Sequence, residues 1–100
     1  HITIPSTLDG KNLFSAQAHV YTAGTASTIT NIQLHNLTDG NDMLSTPITI
    51  DLNEKDSSTA ATPSVIGSNN GVSTADVLRI DVDAVATNTL GLEVRMVFST

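Results

Sequence analysis

Three carboxylates that lie close together in the chain, Asp51, Glu54 and Asp56, have the clearest potential for chemistry. Two carboxylates that flank a glycosidic bond can act as the acid and the nucleophile or base of a glycosidase. A catalytic acid needs a walled pocket that raises its pKa, whereas these residues stand beside Lys55 in a stretch rich in Ser and Thr. We therefore interpret the stretch as a solvated loop.

A nucleophilic serine has no better support. The chain lacks the Gly-x-Ser-x-Gly elbow that presents a catalytic serine at a strand-to-helix turn. A small hydrolase remains an alternative only if Asp51→Asn or Glu54→Gln abolishes an activity. The sequence predicts no catalytic residue and a protein that is not an enzyme.

Two of the three histidines, His19 and His35, fall on the outward side of neighbouring predicted strands, where they could suggest a metal site. A hairpin centred near Thr25 would hold them more than about 10 Å apart, at roughly 3.4 Å per residue. That separation is too large for both to bind one zinc ion. We interpret them as surface or interface residues.

The turn that follows His35 carries two further patterns. Asp39, Asn41 and Asp42 offer the hard oxygen ligands that calcium prefers, but the 12-residue loop pattern with its terminal glutamate is missing. The segment 36–38 matches the N-glycosylation acceptor pattern, which has meaning only in a eukaryotic secretory pathway. We predict a plain turn, and no metal or cofactor.

Charge and composition limit the partners. Ten acidic residues against four basic ones give a net charge of -6, which opposes binding to a phosphate backbone. No apolar run approaches the roughly 20 residues that span a bilayer, and the chain has no cysteine for disulfides or thiolate metal sites. We expect neither nucleic acid nor membrane as a partner, and a hydroxyl-rich surface, since Ser and Thr make up about a quarter of the chain.

The elements that must position these residues are strands. From Val77 to Phe98, apolar and polar residues alternate in two runs around a short polar break near Asn88, which is typical of half-buried strands. We predict one antiparallel hairpin that places Ile80 opposite Met96 and Asp81 opposite Arg95. The predicted inward residues are Leu78, Ile80, Val82, Ala84, Leu92, Val94, Met96 and Phe98.

The rest of the chain repeats this alternation without any amphipathic helix or internal repeat. Further strands are predicted at 1–4, 13–21, 28–35 and 44–52, with a short extended piece at 60–66, and their inward residues are Phe14, Ala16, Ala18, Val20, Thr30, Ile32, Leu34, Leu44, Thr46, Ile48, Ile50 and Leu52. About seven or eight short strands favour an all-β fold, an antiparallel β-sandwich of jelly-roll-like form. We expect a single domain over 1–100, and a fragment or processed form of a longer chain.

Four segments in series carry a resemblance: NLTDGNDMLSTPITID, AATPSVI, VLRIDVDAV and GLEVRMVF. In this order and at these distances they resemble a β domain that recurs in tailed-bacteriophage virion structural proteins, over about Leu13 to Phe98. Leu90 departs from the pattern, because a short polar or basic residue is expected before Gly91 in relatives. No catalytic or ligand residue carries over from this family.

The resemblance implies a non-enzymatic structural protein on the exterior of a virus particle, most of all a capsid decoration or cement protein. Its partners would be other virion proteins, capsid or fibre subunits, and it would act as a homo-oligomer on a symmetric scaffold. The alternative is a tail- or head-fibre adhesion module that binds a host glycan or receptor. A fibre tip should show exposed aromatics or a long variable loop, so we favour decoration.

Outward residues of two strands form the predicted protein-contact face: Gln17, His19, Tyr21, Gln33 and His35. Because Phe14 and Phe98 have inward parity, Tyr21 is the one aromatic residue expected outside. We therefore do not expect a sugar-stacking platform within one subunit, although a glycan site shared between subunits remains an alternative.

Overall fold

The alternating segments do form strands, and short 3-10 turns at Ser6–Leu8 and Ser57–Thr59 are the only helical pieces. The computed structural model describes all residues, His1–Thr100. The strands are β1 (Ile2–Thr3), β2 (Asn12–Thr22), β3 (Thr30–Asn36), β4 (Asn41–Asp42), β5 (Leu44–Thr46), β6 (Ile48–Ile50), β7 (Val65–Ile66), β8 (Val77–Ala84) and β9 (Leu90–Ser99). None of the helical turns has the length and apolar character of a membrane span.

The strands form two main sheets, and every pairing is antiparallel. In the first sheet β8 lies between β1 and β3, while β3 also pairs with β4 and β6. In the second sheet β2 pairs with β9, and β5 and β7 form a small separate ribbon. The molecule is a small all-β sandwich, so the predicted fold class is confirmed, with nine strand segments.

The core lies between the two sheets. Both sheets contribute inward side chains at alternate positions, as a half-buried strand requires. Each fully buried Leu or Ile contributes about 1.5–3 kcal/mol. The buried cluster contains Ile4, Leu13, Ala16, Ala18, Val20, Ile32, Leu34, Met43, Leu44, Ile48, Ile50, Val72 and Leu78.

The predicted β8–β9 hairpin was wrong. Ile80 lies opposite Leu34 of β3 rather than Met96, and Arg95 lies opposite Gln17 of β2 rather than Asp81.

The segment between β8 and β9 explains why they separate. Instead of turning back, it crosses to the other sheet: Thr87 exchanges backbone hydrogen bonds with Thr25 and Ala26, both at 3.0 Å, and Ala86 is buried. Alternation identified both strands, but it carried no information about their partners.

A β-bulge at the start of β2 reverses another expectation. Leu13 pairs with Phe98 and Ser15 pairs with Val97, so Phe14 is an extra residue without a partner in β9. Such a residue turns its side chain away from the regular alternation. Phe14 was predicted to be inward, but it is 68 % exposed.

The predicted strand over 44–52 is divided at Pro47. The residues before it form β5 and pair with β7, whereas those after it form β6 and pair with β3. Proline has no N–H for a ladder, so the change of partner at this position is expected physically.

Candidate functional site

Asp56 is the centre of a polar network on the outer surface of the β2–β9 sheet. Its carboxylate lies 3.2 Å from Nδ1 of His19 and accepts a hydrogen bond from Nη2 of Arg95 at 3.3 Å. Arg95 Nη2 also donates to the side-chain oxygen of Gln17 at 3.0 Å. The network therefore joins two strands and a loop on one surface.

The loop that carries Asp56 is held against the edge of β2 that faces away from β9. The backbone N–H of Val20 donates to the carbonyl of Lys55 at 2.7 Å, and the N–H of Ala18 donates to Oγ of Ser57 at 3.0 Å. Asp56 itself precedes the short 3-10 turn and accepts a hydrogen bond from the N–H of Ser58 at 2.9 Å. The loop thus closes this edge of β2.

These contacts lower the pKa of Asp56 to about 2 from its usual 3.8. The largest cause is the hydrogen bond from the backbone N–H of Ser58, and the side chains of His19 and Arg95 act in the same direction. A carboxylate that accepts several hydrogen bonds is favoured in its charged form. The Asp56 carboxylate therefore holds the side chains of His19 and Arg95 in place. Its lowered pKa is the opposite of what a catalytic acid requires.

Beside this network lies a shallow cleft of about 240 Å³. Serine hydroxyls, one amide and the exposed ring of Phe14 dominate its lining, and no carboxylate or histidine contributes to it. The lining residues are Phe14, Ser15, Ala16, Gln17, Ser57, Ser58, Pro63, Ser64 and Ile66. The cleft can offer hydrogen bonds and an aromatic face, but no acid or base.

The structure brings together three of the five predicted contact residues. Gln17, His19 and Tyr21 lie on the outer surface of β2, and Tyr21 is 79 % exposed. Lys55 Nζ lies 5.9 Å from the centroid of the Tyr21 ring, within the range of a cation–π contact. We call Gln17, His19 and Tyr21, together with Arg95, the β2 face.

The other two predicted residues lie on β3, in the other sheet. His35 is half-buried, and its Nδ1 lies 2.7 Å from Oδ1 of Asp42. Gln33 was predicted to face outward, but it is only 9 % exposed. Its side chain donates to the carbonyl of Leu44 at 3.0 Å and accepts from the N–H groups of Leu34 and Leu44 at 3.0 and 3.1 Å, so it completes the backbone hydrogen bonding beside β3.

The remaining candidates have structural roles. Asp51 accepts a hydrogen bond from the N–H of Ala61 at 2.9 Å, and Glu54 accepts one from the hydroxyl of Thr59. Both contacts lie within the loop itself. These carboxylates therefore stabilise the loop rather than face a shared cleft.

The acceptor asparagine of the glycosylation pattern, Asn36, is 1 % exposed. Its side-chain amide donates to Asp76 at 3.0 Å and to Asp39 at 3.3 Å, and its oxygen accepts from the N–H of Asp39 at 3.1 Å. Asp39 therefore forms hydrogen bonds within the turn, and Asp42 contacts His35. No group of three His, Cys, Asp or Glu residues has the arrangement of a metal site.

No protein-family model, no curated protein and no solved structure matches this chain.

Two parts of the site were missed from the sequence. Arg95 had been paired with Asp81, although its partner Asp56 comes from a distant loop. Phe14 had been placed in the core, because the local sequence carries only a weak signal of the bulge. That signal is the odd spacing of Leu13 and Ala16, which are both buried although a regular strand would place them on opposite faces.

Proposed function

We propose that this chain is a non-enzymatic structural module on the exterior of a bacteriophage particle, most of all a capsid decoration protein that contacts other virion proteins. The sequence resemblance supports the phage setting. The β2 face supports the contact role, and the observation that carries it is Tyr21, which stands almost fully exposed beside residues held in place by Asp56.

Pre-ordered side chains suit a contact surface. A side chain that is already immobilised loses less conformational entropy on binding than a free one does. Arg95 and His19 are held by Asp56, while Tyr and Arg are the residue types that most often dominate binding energy at protein interfaces. The β2 face therefore provides rigid polar groups around one large exposed ring.

The three acids of the 51–56 loop support a role without catalysis. Asp51 and Glu54 are used within their loop, and Asp56 has a lowered pKa. The cleft contains no acid or base. Hydrolysis would have no proton donor there.

The test is to locate and remove the chain. Particles that lack it should break at a lower temperature than complete particles do, and adding the purified chain back should restore their stability. A Tyr21→Ala chain should restore less of this stability. Asp83→Asn changes an exposed position on β8 of the other sheet and should restore as much stability as the unaltered chain does. Complete and depleted particles of equal stability would contradict the decoration role.

Glycan adhesion is a second candidate, because the structure exposes an aromatic residue that the sequence had placed inside. Phe14 lines the cleft together with the hydroxyls of Ser57, Ser58 and Ser64. An aromatic face beside convergent hydrogen-bonding groups is the usual composition of a small-molecule site. This arrangement gives the adhesion alternative a specific position within one subunit.

A glycan array with the purified chain separates the two candidates. Adhesion predicts binding that Phe14→Ala abolishes and Tyr21→Ala leaves in place, since Tyr21 does not line the cleft. Decoration predicts no glycan signal and a particle defect on Tyr21→Ala.

A further inference from the structure

Strand β9 has one free edge. It pairs with β2 along its other edge and has no further neighbour. A long edge strand with unpaired N–H and C=O groups is a template for another strand, and proteins usually cover or disrupt such an edge. Strand β9 contains no proline, and none of its backbone groups bonds to a loop.

The direction of the free backbone groups follows from β2. Ala18 and Val20 direct their N–H groups away from β9, to Ser57 and Lys55. Gln17 and His19, which alternate with them, therefore face β9 and exchange hydrogen bonds with its residues there.

The partners of Gln17 and His19 in β9 are Arg95 and Glu93. By the same alternation, the residues between and beside these two direct their N–H and C=O groups to the free edge. Those residues are Leu92, Val94 and Met96.

The side chains along this edge are incompletely covered. Leu90 is 65 % exposed and Val97 is 52 % exposed. Leu92 is exposed as well, and Val94 and Met96, which pack against the core, are only half-buried. A strand edge with this much apolar surface is suited to a protein partner.

Charge selects the partner and the register. If a second copy of β9 lies antiparallel on the free edge with the two-fold axis at Val94, Glu93 lies opposite Arg95 of the partner subunit, and the reverse pair forms by symmetry. A two-fold axis at Glu93 would oppose two glutamates, and one at Arg95 would oppose two arginines. Opposite charges directly across a strand pair stabilise it, whereas like charges destabilise it.

Backbone geometry agrees with this register. Val94 would form a hydrogen-bonded pair with Val94 of the partner subunit, because both direct their backbone groups to the edge. Glu93 and Arg95 of the partner subunit would then form a non-hydrogen-bonded pair, in which side chains approach more closely. Glu93 is free to change partner, since its contact with Arg95 of its own chain is 3.6 Å long and its side chain is largely exposed.

The apolar residues complete the match. In the same register Leu92 lies opposite Met96 of the partner subunit, and Met96 lies opposite Leu92 of the partner subunit by symmetry. We propose that two copies of this chain pair antiparallel through β9 on a two-fold axis at Val94 and so form one continuous β2-β9-β9-β2 sheet. This is a self-complementary interface of the kind that two-fold dimers use.

Strand β8 is a weaker candidate for such pairing. The edge of β8 that faces away from β3 is already occupied by β1 at Val77 and Leu78. In addition, Arg79 donates a hydrogen bond through Nη2 to Asp81 of the same strand at 3.0 Å. Pairing two copies through β8 about Ile80 would require the place that β1 fills.

The first test is the mass of the isolated chain in solution by sedimentation equilibrium. We expect a dimer whose dissociation constant rises about tenfold in Glu93→Arg, because this variant opposes arginines across the axis twice. Asp83→Arg makes the same charge change at an exposed position of β8 and should leave the dimer intact. A wild-type monomer at all concentrations, or a dimer that Glu93→Arg does not weaken, would overturn the pairing.

Mixing variants makes the test specific to the register. Glu93→Arg and Arg95→Glu chains should each dimerise poorly alone and form a heterodimer together, because the mixture restores both opposite-charge pairs. Circular dichroism of each variant checks that it is folded, since Arg95 also contacts Asp56.

Cross-linking provides a measurement that does not depend on charge. Residues facing each other in a hydrogen-bonded pair have Cα atoms about 5.5 Å apart, within the range of a disulfide. Val94→Cys should therefore form a disulfide-linked dimer on mild oxidation. Leu90→Cys on the same strand should not, because it lies far from its own copy. A cross-link at position 90 rather than 94 would contradict the axis.

The pairing rests on strand geometry and charge, and not on a role at a particle surface. The isolated chain is sufficient for its test. A monomeric chain would therefore overturn the pairing without affecting the particle and glycan experiments.

Discussion

Nδ1 of His19 lies 3.2 Å from Oδ2 of Asp56, which joins β2 to a loop 37 residues further along the chain. Because Arg95 of β9 reaches the same carboxylate, one acid organises the exposed surface of a whole sheet. The contact makes the β2 face a fixed arrangement rather than a set of independent surface side chains. Asp56 is consequently the position at which stability and surface geometry can be perturbed together.

Acid should destabilise the protein through Asp56. Its pKa is about 2 in the folded protein against a usual 3.8, so its stabilising contribution is fully present above about pH 4 and is lost as the pH falls towards 2. Asp56→Asn should lower the free energy of unfolding at pH 7 by about 1 kcal/mol, because exposed ion pairs contribute little and an asparagine can still accept from Ser58.

Urea unfolding at pH 7 and at several values between pH 2 and pH 5 measures this effect. In Asp56→Asn the loss of stability over the acid range should be smaller than in the wild type. Asp83→Asn, which removes an exposed acid on β8, should follow the wild-type curve. Identical acid dependence in both variants would show that Asp56 is not responsible.

The sequence was sufficient to identify strands and insufficient to pair them. Alternation in β8 and β9 correctly indicated two strands, since each buries one side. Their partners depend on the segment between them, where Ala86 is buried and Thr87 pairs with Thr25 and Ala26. These are long-range contacts that local periodicity does not encode, and a plausible charge pair between Asp81 and Arg95 made the wrong hairpin attractive.

The site shows the same limit on a smaller scale. Outward parity was right for Gln17 and Tyr21, which lie in a regular part of β2. Inward parity was wrong for Phe14, because a bulge shifts the alternation by one residue, and outward parity was wrong for Gln33, because its amide satisfies backbone groups of neighbouring residues. A polar residue at an outward position is exposed only if no backbone nearby needs its hydrogen bonds.

Removing the buried amide of Asn36 should be costly. Asn36→Ala deletes the hydrogen bond to the buried carboxylate of Asp76 and two contacts with Asp39. We expect a loss of about 3 kcal/mol, since the buried carboxylate of Asp76 would keep only the N–H of Ser73 as a donor, and a hydrogen bond to a charged group contributes about 1.5–3 kcal/mol.

Chemical denaturation at pH 7 checks this value, with Asn41→Ala as the control. Asn41 is exposed and makes one side-chain contact, at 3.4 Å to the carbonyl of Asp39. Its removal should change the free energy of unfolding by less than about 0.5 kcal/mol. Equal effects at positions 36 and 41 would contradict the structural role of Asn36.

Gly91 should not tolerate a side chain. Its φ is +71°, and a Cβ added there would lie 2.7 Å from Cβ of Tyr21. Gly91→Ala therefore adds a steric conflict to the backbone cost of roughly 1–2 kcal/mol for a left-handed residue, and we expect a total loss of more than about 2 kcal/mol. The conflict should also displace Tyr21 on the β2 face.

Gly40 provides a matched control, because its φ is +74° and an added Cβ would meet no atom within 4 Å. Gly40→Ala should show the backbone cost alone. Thermal unfolding compares the two variants, and Tyr21 fluorescence reports on the ring. Equal losses at the two glycines would show that contact with Tyr21 does not matter.

Ala75 offers a stabilising substitution. It adopts φ of 72°, a left-handed conformation that costs an L-residue roughly 1–2 kcal/mol. It is exposed, and its N–H donates to the carbonyl of Ile4 at 2.9 Å, a bond that glycine would keep. Ala75→Gly relieves this strain. It also makes the unfolded chain more flexible, which lowers the free energy of unfolding by roughly 0.4–1 kcal/mol, so the net gain in stability should be about 0.5–1 kcal/mol.

Ala61→Gly is the control, since Ala61 is also exposed and has no positive φ. At this position only the entropic loss applies. The two substitutions should therefore shift the urea midpoint in opposite directions, and a lower midpoint for both would mean that position 75 carries no strain.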